Sequence, residues 1–156
     1  MTAIRHAGRA LVLDESDRIL LFRFRDPNES TDHLATPGGG LQQGETYEAA
    51  ARREVQEELL LSGVELGPPI WNRVSEFDFL GTWTQVFERF FLLRVLADEI
   101  RPYQGHLGDE NVIGREWWTL DDIEETDEAI WPSRLASLIR DLLRDGVPSE
   151  PVPIRA

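Results

Sequence analysis

The sequence predicts an α/β fold, a central mixed sheet flanked by helices, and three observations point there. Strand-like and helix-like runs follow one another in the order strands, helix, strands, helix. The run around Val86-Phe87 and Phe90-Phe91-Leu92-Leu93 is apolar on both faces, as a strand covered from both sides must be. Residues 133–144 then form an amphipathic helical pattern, with Leu135, Leu138, Ile139, Leu142 and Leu143 on the inward stripe. A chain of 156 residues with 41% apolar content can bury a real core, so residues 1–146 read as one domain. Residues 147–156, with Pro148, Pro151 and Pro153, read as an extended tail lying against the domain or a second subunit, which leaves a homodimer open.

Taken in order, residues 9–13 and 19–25 are β-rich runs joined by a polar turn at 14–18, a hairpin pattern. Arg23 and Arg25 share a face of the second strand and alternate with Leu20, Phe22 and Phe24. They are candidate substrate-binding residues, suited to bidentate phosphate contacts, with a solvated strand face as the alternative. Residues 36–41 read Thr-Pro-Gly-Gly-Gly-Leu. Three glycines allow positive φ and close approach of the backbone to a ligand, which makes Gly39 and Gly40 further binding candidates. A helix follows over 46–59, with Thr46 as its cap and Glu45 and Glu48 near the positive end of its dipole. Ala50, Ala51, Val55 and Leu59 form the stripe that packs on the sheet.

Residues 70–79 and 84–96 are long strands broken near Gly81. Glu88 interrupts the apolar pattern of the second, either as a metal ligand or base, or in an ion pair with Arg89 or Arg94. The loop 97–111, carrying Pro102, Gly105 and Gly108, is long enough for a functional lid and ends in Asp109-Glu110. Residues 115–120 are a strand in which one of Trp117 and Trp118 faces outward, and residues 121–124 are a short helical turn. Trp131-Pro132, at the start of the last helix, is a candidate to line the cleft.

The chemistry concentrates in the first helix. Successive residues of an α-helix advance about 100°, so Glu54, Glu57 and Glu58 fall within an arc of roughly 100° and share a face. Like charges so placed cost roughly 0.2–0.5 kcal/mol per pair in an isolated helix, so the arrangement needs a cation. Oxygen-only ligands and the absence of cysteine favour Mg2+ or Mn2+ over zinc. The bland alternative is a solvated, charge-rich surface helix. Arg53 lies beside the acidic face and can hold one carboxylate in place.

Spacing decides between them. Gly39 is followed by Glu45, Arg53-Glu54, the aliphatic Val55, Glu57-Glu58 and the aliphatic Leu61. This series resembles the Nudix box, and only Leu60, where the family has glycine, departs from it. The resemblance implies a Nudix-like α/β/α sandwich and a hydrolase that opens the diphosphate of a nucleoside diphosphate linked to another moiety. It also implies that Glu54, Glu57, Glu58 and the Gly38 carbonyl hold the metal, that Arg53 orients a glutamate, and that Glu45 braces the loop against the helix. Glu110 corresponds to an additional loop acid, and the general base is Glu54 or Glu110. Leucine does not take the left-handed exit cheaply, so the helix is expected to leave later, at Ser62-Gly63. A further departure lies at residues 33–36, where relatives carry aromatics that can stack on a base. A non-catalytic ligand-sensing or protein-binding module is the competing reading.

The formal net charge of −13 argues against general nucleic-acid or anionic-membrane binding, which depends on clustered Lys and Arg. A small nucleotide derivative remains a fitting partner where bound metal reverses the local field. Without cysteine, without an apolar signal core in residues 1–6, and without a run of membrane-spanning length, a cytoplasmic location is expected.

Overall fold

The computed structural model describes residues 2–25, 30–103 and 111–155. Strand β1 (Ala3–Leu13) turns into β2 (Ile19–Arg25). The buried Asp14 carboxylate closes that turn by accepting from the Ser16 and Arg18 amides at 2.9 and 2.8 Å and from Arg18 Nε at 2.7 Å. Short strands β3 (Asp32–Ala35) and β4 (Gly38–Gly40) lead to helix α1 (Tyr47–Leu59). The hairpin β5 (Pro69–Phe79) and β6 (Thr82–Arg94) turns at Leu80-Gly81, both with positive φ, the geometry that matches strand twist in a two-residue turn. A single 3-10 turn (Ala97–Glu99), β7 (Val112–Trp118), α2 (Leu120–Glu125), β8 (Ala129–Trp131), α3 (Leu135–Asp145) and β9 (Val152–Ile154) follow.

The strands form one sheet in the order β8-β3-β2-β1-β6-β5-β9, with β4 added to β1 and β7 to β2. It is mixed: β1/β6, β3/β8 and β5/β9 are parallel and the other pairings antiparallel. Alternation along β1 and β2 splits the core in two. Ala10, Val12, Leu20 and Phe22 meet Val55 and Leu59 of α1 on one face. Leu11, Leu13, Ile19 and Leu21 meet Ile123 of α2 and Leu135, Ala136, Ile139 and Leu142 of α3 on the other. Helices therefore cover both faces, the expected α/β/α arrangement, and burying each large aliphatic side chain contributes roughly 1.5–3 kcal/mol. Among the described residues no helix is long and apolar enough to cross a membrane.

Several expectations change. The first strand extends back to Ala3 because β6 supplies a parallel partner along its whole length. Leu143 is exposed and Ala136 takes its place in the α3 stripe. Neither Trp117 nor Trp118 faces open solvent: Trp117 packs on the α1-side core and Trp118 on the other, since both faces of β7 are covered. The proline-containing segment does not change: residues 152–154 are extended as expected and lie against the domain, paired with β5. Glu88 pairs with Arg9 and Arg73, not with Arg89 or Arg94.

Candidate functional site

Helix α1 lies against the sheet because Gly8 of β1 has no side chain. A Cβ there would fall 2.2 Å from the Tyr47 carbonyl oxygen and 2.8 Å from the Ala51 amide nitrogen. At the start of α1, Thr46 Oγ1 accepts from the Ala49 amide at 3.1 Å, the capping bond the sequence predicts. At its end, Leu60 adopts φ 55° and ψ 33°, so the helix stops where the Nudix pattern places glycine and not at Ser62-Gly63. The leucine side chain projects largely into solvent, so the cost is confined to the backbone, about 1–2 kcal/mol for a residue with a Cβ. Helix α1 has no basic residue of its own in its last turn. Arg115 of β7 serves there, donating from Nη1 to the Glu58 carbonyl at 2.7 Å and from Nη2 to the Arg101 carbonyl.

The glycine segment docks on β1 with Gly38 opposite Arg9, Gly39 opposite Gly8 and Gly40 opposite Ala7. Gly38 has φ 148°, a conformation side chains disfavour. Arg53 joins this segment to the helix. Its Nε and Nη2 grip the two Glu45 carboxylate oxygens at 2.9 Å each, and Nη2 also donates to the Gly40 carbonyl at 3.0 Å. Nη1 donates to Glu54 Oε1 at 2.9 Å and lies 3.8 Å from Glu57 Oε2. The Arg53 fork, aided by the Gln42 amide at 2.7 Å, pulls the Glu45 carboxyl down to about 2. Glu45 thus braces the loop against the helix through Arg53, as the resemblance implies.

The carboxylates differ in surroundings: the Glu57 side chain is 55% exposed and that of Glu54 18%, while Glu58 is buried. Among the described residues, no three His, Cys, Asp or Glu side chains converge closely enough to hold a metal ion. The donor chemistry nevertheless fits a hard divalent ion. Glu54 and Glu57 already share a cationic neighbour in Arg53 Nη1, and the remaining candidate donors, the Glu58 carboxylate and the Gly38 carbonyl, are likewise oxygens. That carbonyl accepts from Arg9 Nη1 at 3.2 Å. Glu110 and Asp109 lie outside the described residues.

Arg23 and Arg25 are committed elsewhere. Arg23 grips Glu116 and Glu128 bidentately and lies 3.5 Å from Asp32, which also receives Arg25 Nε at 2.7 Å. Their guanidiniums face carboxylates because β3, β7 and the segment before β8 converge beside β2. Within residues 33–36, His33 stacks on Phe24 with ring centroids 5.3 Å apart. Trp131 is 43% exposed at the far edge of the sheet, on β8.

Reading the sequence missed Gly8, Arg9, Arg73 and Arg115. Glu88 was the single signal toward two of them, because an acid within an apolar strand requires a partner. Which partner depends on strand register.

A family model described as the NUDIX domain matches residues 4–141. Among solved structures, the chain is similar to the MutT protein from Methanosarcina mazei Go1, at 20% identity over 92% of this chain and 96% of that one, with a TM-score of 0.67. It is also similar to the MutT NUDIX hydrolase from Burkholderia pseudomallei (24% identity, 85% and 95% covered, TM-score 0.58). A third is the Ap4A hydrolase of C. elegans (20% identity, 90% and 96% covered, TM-score 0.57). At these identities the structural likeness speaks to the fold. A comparison with curated proteins found no match.

Proposed function

The chain belongs to the Nudix family, and from that premise we propose that it is a divalent-cation-dependent hydrolase acting on a nucleoside diphosphate linked to another moiety. The observation that carries this reading is the knot at Arg53, which ties the glycine segment to Glu45, Glu54 and Glu57 through one guanidinium. Glu54, Glu57, Glu58 and the Gly38 carbonyl would hold the ion, Mg2+ or Mn2+. When bound, it neutralises phosphate oxygen charge and makes a bound water more acidic. The chain's own residues do the remainder. Arg53 keeps the Glu54 carboxylate turned toward the glycine segment, and Glu45 fixes Arg53. Water adds to a phosphorus, the bridging P–O bond breaks, and Glu54 or Glu110 accepts the water's proton.

The left-handed Leu60 favours turnover over a binding module, because the one departure from the box leaves the helix exit where glycine would put it. The test is colorimetric phosphate release with and without Mg2+ and a coupled phosphatase. The panel comprises nucleoside triphosphates, nucleotide sugars, ADP-ribose and dinucleoside polyphosphates, the last because one structural neighbour is an Ap4A hydrolase. Mg2+-dependent hydrolysis of at least one substrate is expected, with Glu57→Gln losing about 10²-fold or more at saturating metal. Tight binding without hydrolysis would establish the module, and an unimpaired Glu57→Gln would remove Glu57 from the site.

A further inference from the structure

Glu88 is a buried ionised side chain to which the proposed chemistry assigns no task. It lies in β6 between Val86 and Phe90 on one sheet face and is 4% exposed. A carboxylate there costs stability unless it is well paired, and an apolar residue of similar size commonly does as well or better. Its retention therefore has to be explained by what it holds. The register sets one arginine on each flanking strand beside it. Arg9 Nε of β1 donates to Oε1 at 3.0 Å, and Arg73 Nε of β5 donates to Oε2 at 2.6 Å. Burial opposes ionisation of Glu88, and the two guanidiniums outweigh it, holding the carboxyl below its ordinary range.

The two arginines are not equivalent. Arg73 ends at Glu88, and its Nη1 is buried without a hydrogen-bond partner among the described residues. Arg9 continues outward: its Nη1 donates to the Gly38 carbonyl at 3.2 Å and, more weakly, to the Thr36 carbonyl at 3.5 Å. The segment it reaches needs an external hold, because consecutive glycines have the greatest conformational freedom to lose and Gly38 sits at positive φ. We propose that Arg9 is a positioning residue for the active-site glycine segment: anchored on Glu88, it fixes the direction of the Gly38 carbonyl, whereas Arg73 balances the Glu88 charge without reaching the site. This rests on the reading of that segment and Glu54, Glu57 and Glu58 as the hydrolytic site.

The contrast between Arg9→Lys and Arg73→Lys tests it, since each variant weakens one grip on the same carboxylate. Four quantities are measured: melting temperature, kcat with the best panel substrate, Mn2+ affinity by titration calorimetry, and amide hydrogen exchange over residues 36–41. Both variants lower the melting temperature. Arg9→Lys alone lowers kcat about tenfold, weakens Mn2+ binding severalfold and speeds exchange in the segment, in the range seen for residues that orient metal ligands. Should Arg9→Lys fail to fold, Arg9→Gln, which keeps a donor but lacks the fork, takes its place. Wild-type values of all three site readouts in the Arg9 variant, or equal losses in Arg73→Lys, would overturn the inference. If the wild-type protein hydrolyses nothing on the panel, the proposed activity fails on its own account, and hydrogen exchange still decides the role of Arg9.

Discussion

Two guanidiniums in this molecule each sit among three carboxylates, and they do different things. Arg23 spends its whole fork on closed pairs, taking Glu116 at 2.7 and 3.2 Å and Glu128 at 2.8 and 3.1 Å. Arg53 closes a fork on Glu45 alone, touches Glu54 through one nitrogen and stands 3.8 Å from Glu57. The partners of Arg23 come from β3, β7 and the segment before β8, so its knot sews distant strands together. Those of Arg53 all lie between Gly40 and Glu57, so its knot shapes one loop and one helix. A saturated ion-pair cluster is structural, while one that holds carboxylates by single oxygens leaves them able to take another cation.

The largest expected effect comes from the glycine beside each knot. A Cβ on Gly39 would lie 2.4 Å from Glu54 Oε1 and 2.7 Å from its carboxyl carbon, whereas one on Gly114, directly opposite Arg23, would meet nothing within 4 Å. In Gly39→Ala the Glu54 carboxylate must move, because a flexible side-chain end yields before the backbone does. A displacement of this size costs about 10²-fold in kcat, with little change in melting temperature. Gly114→Ala should stay within about twofold of wild-type turnover. Full activity in Gly39→Ala would mean that Glu54 does not need its present position.

Next in size is the exchange of each arginine for lysine, which keeps the charge and removes the fork. With Glu54 and Glu57 as the proposed metal ligands, Arg53→Lys should lower kcat about tenfold, the loss expected for a residue that orients such ligands. Arg23→Lys should leave kcat unchanged and lower the melting temperature by roughly 2–4 °C, the size expected for a partly exposed ion-pair cluster. Steady-state kinetics and thermal denaturation of the two proteins side by side decide it. A kcat loss in Arg23→Lys would restore the strand arginines to the substrate contact that the sequence suggests.

The same contrast explains what could be read without a structure. The helical half of the Arg53 knot was legible because helical period sets Arg53 beside the face shared by Glu54 and Glu57, while the Glu45 brace came with the resemblance to the Nudix box. The two-sided core was legible from alternation in β1 and β2 and the apolar run in β6. The knot at Arg23 was not, because Glu116 and Glu128 lie far along the chain and meet Arg23 only through the β2/β7 and β3/β8 registers. Arg9 and Arg73 escaped for the same reason: an acid in an apolar strand announces a need, and strand order names the partner. Leu60 misled by propensity, since tertiary packing of α1, with the Arg115 hold on its last turn, outweighs the modest cost of a left-handed leucine.

The smallest effect lies in acid, and it asks whether the two knots contribute through charge at all. Glu45 is held down to about 2 by Arg53, and Arg25 pulls Asp32 down as Arg23 does Glu128. A carboxyl whose folded value is depressed gives stability that is fully present above its unfolded value, ~4.3 for Glu and ~3.9 for Asp, and lost as pH falls through the folded one. Wild-type melting temperature should therefore decline between about pH 4.5 and pH 2. The gap between wild type and Arg53→Lys should be widest above that window and shrink toward pH 2, as Glu45 protonates and the fork loses its partner in the wild type too. Arg23→Lys should show the same closing gap, set by Glu128. A gap that stays constant down to pH 2 would mean that the arginine acts through packing of its aliphatic stem, and the difference between the knots would then rest on shape and not on charge.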